Sequence, residues 1–220
     1  MNAPGGLDVL VHRLRPARGE PAGALVLLHG RGVDESDLFP LLDAFDPDAR
    51  LAGATPRGPL TLPPGGWHWY IVERVGFPHG ETFMESYGLL TEWLGAVAQE
   101  TGVPWERTVI GGFSQGSVMA YALALAGGRP SPAGLLAMSG FIPDVEGFEL
   151  DLERPGLPIA LTHGTLDPII GVEFARAARQ RLEAAGNRLL YRESPVGHGI
   201  DPGVVPDLRE WLAAAVDLAA

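Results

Sequence analysis

The chain has 220 residues, 46% of them hydrophobic, with 27 acidic residues against 16 basic ones, a net charge of −11 and no cysteine. That length and apolar fraction suit a single domain, residues 1–220, with a sizeable core, and the acidic balance disfavours nucleic acid and anionic bilayers, whose binding needs clustered cations. Without cysteine there is no disulfide, thiolate metal site or sulfur nucleophile, and because every basic residue is arginine there is no lysine for Schiff-base chemistry, so any nucleophile must be an oxygen.

In chain order, residues 7–14 alternate in the manner of a half-exposed edge strand, and residues 24–28, "ALVLL", form a continuous apolar run suited to burial on both faces. The turn-rich stretch 16–23 between them predicts a hairpin. Residues 51–55 read as a weaker strand, followed by "PRGPLTLPPGGWHWY", too punctuated by proline and glycine for regular structure and long enough to suggest a functional loop. Between 81 and 101 the apolar positions recur at helical spacing until Gly102 and Pro104 stop them. Strands are then expected at 107–111, 134–138, 158–162 and 189–192, and helices at 115–126, 172–185 and 204–219. Strand and helix in alternation imply an α/β architecture around a mostly parallel sheet, whose sites lie at the carboxyl ends of its strands.

One such end carries "VIGGFSQGSV". A sharp strand-to-helix turn that lifts a serine above the sheet edge brings the positions two before and two after that serine together, and Gly112 and Gly116 leave room for this around Ser114. With seven serines and 30 glycines, about 0.13 such matches arise by chance, so the letters alone are a weak signal and the strand and helix on either side carry the weight. Ser117 lacks glycines at both offsets and reads as a helix residue.

A serine hydroxyl needs a histidine base, oriented by an acid. In this setting the partners follow as acid and then histidine, and only His163 and His198 lie beyond Ser114. His198, in the glycine-flanked loop "PVGHGID", is the candidate base; His163 closes a strand and reads as structural; Asp167 in "HGTLDPII" is the candidate acid. The Gln115 amide at the helix start and the Arg31 amide, between Gly30 and Gly32 in "LLHGRGVDESDL", are candidate donors to an oxyanion, with His29 fixing the turn. A metal-dependent alternative built on His163, Asp167, His198 and Asp201 matches no common ligand spacing and leaves the glycine-flanked serine unexplained.

In "LLHGRGVDESDL", "GFSQGSVMA", "LTHGTLDPII" and "VGHGID", taken in order, the chain resembles the phospholipase/carboxylesterase family of small α/β-hydrolases, which includes acyl-protein thioesterases and compact bacterial carboxylesterases. The resemblance implies an α/β-hydrolase fold, with Ser114 as nucleophile, His198 as base, Asp167 as orienting acid and the Arg31 and Gln115 amides as the oxyanion hole. It also implies that the "GGWHWY" loop lines the acyl side of the site. The thioesterase branch more often carries an apolar residue where this chain has Arg31.

The expected reaction is hydrolysis of small to medium acyl esters. The stretch 139–158 is too short for a helical cap, so the site should be open, with Trp67, Trp69, Tyr70, Phe141, Ile169 and Ile170 as candidate walls. Thioesterase or lysophospholipase activity, or a binding module that has lost turnover, are the alternatives. The expected partner is a small-molecule ester, with no cofactor, metal, nucleic acid or membrane, and the sequence is compatible with a homodimer. The first residues have neither a basic nor a long apolar segment, and no stretch nears the ~18 apolar residues of a membrane span, so a cytoplasmic location is expected.

Overall fold

The computed structural model describes residues 6–218. Seven strands form the main sheet: β1 (His12–Arg15), β2 (Gly23–Leu28), β3 (Leu51–Pro56), β8 (Thr108–Phe113), β9 (Gly134–Met138), β10 (Ile159–Gly164) and β11 (Leu189–Ser194). Two small hairpins pair β4 (Leu60–Thr61) with β5 (Trp67–His68) and β6 (Val72–Arg74) with β7 (Phe77–Pro78). The helices are α1 (Phe39–Phe45), α2 (Gly80–Thr101), α3 (Gln115–Leu125), α4 (Val172–Ala184) and α5 (Val205–Leu218).

The main sheet runs β1-β3-β2-β8-β9-β10-β11, with β1 antiparallel to β3 and every other pair parallel. This corrects the expected hairpin between the first two strands. The run 24–28 is buried on both faces and needs a neighbour on each side, which β3 and β8 supply; β1, partly exposed, is left at the edge. The edge strand is also shorter than its alternation suggested, because residues 7–9 form a 3-10 turn. The Pro/Gly-rich loop, expected to be irregular, contains the β4–β5 pair.

Alternation along β2 divides the core. Val26 and Leu28 point to a layer containing α2, α3 and α4, with Trp93, Tyr121 and Leu182 in it, while Leu25 and Leu27 meet Leu42 of α1 and Leu208 and Leu212 of α5. Every residue of α3 is buried, which is why its sequence shows no amphipathic period. Chain order leaves β2 toward β3 on one side and, from β8 onward, proceeds on the other, so the carboxyl ends of β2 and β8 flank the point where the order reverses. Crevices in open α/β sheets form there. Among the described residues, no helix is long and apolar enough to cross a membrane.

The crossing of β2 and α3 sets a steric limit. A Cβ on Gly116 would strike the Leu28 and His29 carbonyl oxygens, and one on Gly112 would strike the backbone of Gly116. Backbone cannot move aside as a flexible side chain can. Gly116→Ala is therefore expected to lose about 3 kcal/mol or more of stability, which for a chain of this size lowers the melting midpoint by roughly 6–12 °C; a calorimetric melt checks it.

Candidate active site

Ser114 stands between β8 and α3 with φ 53° and ψ −120°, a conformation that costs a non-glycine residue about 1–3 kcal/mol. Its N–H donates to the Met138 carbonyl of β9 at 2.9 Å, which ties the bend to the sheet. Ser117, three residues on, is fully buried within α3 and packed where a side chain on Gly140 would collide with it, so it has no access to a substrate.

His198, in the loop after β11, has its Nε2 2.8 Å from the Ser114 Oγ and its Nδ1 2.6 Å from Asp167 Oδ2. The two distances fix the tautomer: Nδ1–H donates to the carboxylate and Nε2 accepts from the hydroxyl. Phe113 packs against the imidazole at 4.9 Å between ring centroids. The second Asp167 oxygen, Oδ1, accepts the N–H groups of Ile169 at 2.8 Å and Ile170 at 2.9 Å. Burial opposes a charge on Asp167, but the His198 hydrogen bond and these two amides outweigh it and hold the carboxyl below its ordinary value.

His163, at the end of β10, has its Nε2 3.5 Å from Asp167 Oδ2, but its hydrogen bond goes elsewhere. Its Nε2–H donates to the Ile170 carbonyl at 2.7 Å, pinning the turn whose amides hold Asp167. Backbone bonds from Thr165 to Ser194 (2.7 Å) and from Leu166 to Val196 (3.0 Å) lace the acid-bearing loop to the histidine-bearing one. Asp201 lies apart, its carboxylate capping the Gly203 amide at 2.8 Å. Among the described residues, no three His, Cys, Asp or Glu side chains cluster as metal ligands.

Across the bend, the loop after β2 is fixed by His29. Gly58 N–H donates to its Nε2 at 2.8 Å, so the proton sits on Nδ1 and is shared with the Gly30 carbonyl at 2.6 Å. Burial lowers the pKa of this imidazole and keeps it neutral, consistent with a structural histidine whose two nitrogens are both engaged. Gly32, at φ 92°, donates to the Trp67 carbonyl at 2.8 Å, and Gly66 packs so closely on Gly32 that no side chain fits between them. Arg31 is thereby held at the cavity mouth between Gly30 and Gly32, and the Gln115 N–H, first in α3, has no acceptor within its own helix.

The cavity at this point measures ≈ 430 Å³. Ser114, Gln115, His198 and Arg31 line one part of it, and Tyr70, Phe141, Ile169 and Ile170 another. Burial raises the Tyr70 pKa, so its hydroxyl stays neutral. Trp67 and Trp69, expected as walls, do not line it. Trp69 is wholly buried: its indole N–H donates to the His29 carbonyl at 2.8 Å, and its backbone N–H to Gln115 Oε1 at 2.8 Å. Trp67 stacks under the Arg57 guanidinium at 4.6 Å and pairs with Val33. Both aromatics brace the loops around the site instead of facing substrate. Sequence reasoning missed the β6–β7 hairpin, which contributes Val72, Arg74 and Val75 to the wall; its alternation is only three residues long and carries no motif.

A seven-stranded, mostly parallel sheet with helices on both faces, and a Ser, His, Asp chain of hydrogen bonds at the strand ends, define an α/β-hydrolase. Similarity to known proteins agrees. The phospholipase/carboxylesterase family model matches residues 12–216, and the chain belongs to that family of hydrolases. Acyl-protein thioesterase 1 of Candida albicans is 30% identical over 92% of this chain and 96% of its own length. Lysophospholipase-like protein 1 of Mus musculus is 26% identical over 88% and 87%. Among solved structures, the Bacillus cereus carboxylesterase superposes with a TM-score of 0.82 at 24% identity, covering 94% of each chain, and esterase PE8 with 0.80 at 26% identity, covering 94% of this chain and 99% of that one.

The Asp167 environment sets a pH dependence. A carboxyl whose folded pKa is depressed stabilises the fold above its unfolded value, and that contribution disappears as pH falls through the folded one. The stability gap between the wild type and Asp167→Asn, read by urea unfolding, is thus expected to be widest above about pH 5 and to close progressively on acidification.

Proposed function

We propose that this chain is a serine carboxylesterase that hydrolyses small to medium acyl esters through a covalent acyl-enzyme. The observation that carries this reading is the hydrogen-bond chain from Ser114 Oγ to His198 Nε2 and from His198 Nδ1 to Asp167 Oδ2, at 2.8 and 2.6 Å. Ser114 Oγ attacks the ester carbonyl carbon while His198 takes its proton; Asp167 keeps the imidazole in the required tautomer and stabilises the imidazolium that forms. The carbonyl oxygen, now negative, is received by the Arg31 and Gln115 N–H groups, each such donor contributing about 3 kcal/mol of transition-state stabilisation. His198 then returns the proton to the departing alcohol. Water repeats the sequence on the acyl-enzyme, releasing the acid and restoring Ser114.

The substrate range follows from the cavity. Its ≈ 430 Å³ lies toward the small end of ligand sites, and the segment between β9 and β10 contributes no helix that could close over it. Interfacial activation by lid opening is accordingly not part of the mechanism. Thioester hydrolysis uses the same steps and is the second reading, favoured by the thioesterase relatives; Arg31 and Arg74 at the cavity wall favour the smaller, more polar substrate. The whole chain is read as one hydrolase domain.

Ser114→Ala is expected to lower kcat by roughly six orders of magnitude while substrate still binds. A fluorophosphonate should label the wild type at Ser114 and leave that variant unlabelled, as read by intact-protein mass spectrometry; turnover in the variant at the wild-type rate would falsify the nucleophile assignment.

A further inference from the structure

Two arginines, Arg31 and Arg74, are among the residues that line the cavity, and no aspartate or glutamate is. They arrive from opposite parts of the chain: Arg31 from the loop after β2, Arg74 from the β6–β7 hairpin. This is unexpected in a protein of net charge −11, whose overall field repels anions. Elsewhere the arginines of this chain are largely engaged: Arg15, Arg50, Arg57, Arg176, Arg179 and Arg192 each face an aspartate or glutamate. Among the described residues neither Arg31 nor Arg74 has an acidic partner or a hydrogen-bond acceptor.

Both residues line the cavity and both are exposed to solvent. The β6–β7 hairpin, irregular between Val72 and Arg74, brings Val72, Arg74 and Val75 to the cavity, while Glu73 does not line it. The Arg74 guanidinium rests on the Phe77 ring 3.5 Å from its centroid, a contact that restricts its rotamers. Burial lowers the His68 pKa, and the Arg31 charge adds to that shift. Two uncompensated cations beside a reactive serine are matched by a negative charge on the substrate.

Resting on the esterase reading above, we propose that the preferred substrate is an ester bearing a carboxylate at the far end of its acyl or alcohol arm, held by Arg31 and Arg74 while the ester carbonyl lies at Ser114. The remaining walls, Tyr70, Phe141 and Ile170, accommodate the short apolar segment between the two groups.

The test compares kcat/KM for two pairs of nearly isosteric esters: monoethyl glutarate against ethyl valerate, which places the charge on the acyl arm, and 4-acetoxybutanoate against butyl acetate, which places it on the alcohol arm. In at least one pair the anionic ester is expected to be preferred by roughly tenfold at low salt, equivalent to about 1.4 kcal/mol, and the preference should shrink as ionic strength rises. Arg74→Gln and Arg31→Gln should each erode it; because the readout is a ratio within one variant, a general loss of activity cancels. Equal rates in both pairs, or a preference unaffected by either substitution, would overturn the inference. Fluorophosphonate labelling of Ser114 separates the two levels. Labelling with equal ester rates leaves the hydrolase intact and sinks the charge selection, whereas no labelling and no turnover sinks both.

Discussion

The structure depends on one close approach of backbone to backbone, where the first turn of α3 passes under the Leu28 and His29 carbonyls with only Gly116 between. That contact places Ser114 at the crest of the bend, sets the first amide of α3 beside it, and brings the loop after β2 near enough to share the same cavity. The unfavourable φ of Ser114 is a cost of about 1–3 kcal/mol. It is sustained by an environment with nowhere to relax: α3 is buried along its whole length, and β8 is paired on both sides by β2 and β9. A strained residue of this kind persists only where the surroundings over-determine it.

The acid and base are held by a different device. Their loops follow β10 and β11, neighbours in the sheet, and backbone hydrogen bonds join the loops before any side chain is considered. Asp167 is saturated on one oxygen by two amides of its own turn, which leaves the other free to orient the imidazole. His163 secures that turn from below through the Ile170 carbonyl. The result is a carboxylate with no freedom to rotate away, in a polar setting that keeps it ionised, beside a ring that gains a positive charge during proposed turnover.

Around this fixed frame, the variable part is the wall of the cavity. No helix lies between β9 and β10, and the mouth is instead flanked by the β6–β7 hairpin, whose Val72, Arg74 and Val75 face the cavity. Loops on a rigid scaffold are where specificity is set, so a likeness of fold to carboxylesterases at about a quarter identity is compatible with a different choice of substrate. Trp67 and Trp69 show the other use of such loops. The Trp67 backbone carbonyl accepts from Gly32 N–H and the Trp69 backbone N–H donates to the Gln115 side chain, so both residues brace loops at the site.

What the sequence by itself determined was everything whose cause is local. The apolar run at 24–28, the helical period at 81–101, the glycines around Ser114 and the order of serine, acid and histidine are properties of short stretches, and they led to the strands, the bend and the three polar side chains that meet there. Only the tertiary structure decided that β3 inserts between β1 and β2, that Trp69 turns inward, and that an unremarked three-residue strand supplies one of the two arginines that line the cavity. Strand pairing, aromatic burial and the convergence of Arg31 with Arg74 depend on which distant surface arrives to cover each face. That competition is settled by the area buried across the whole fold, and no window of neighbouring residues contains it.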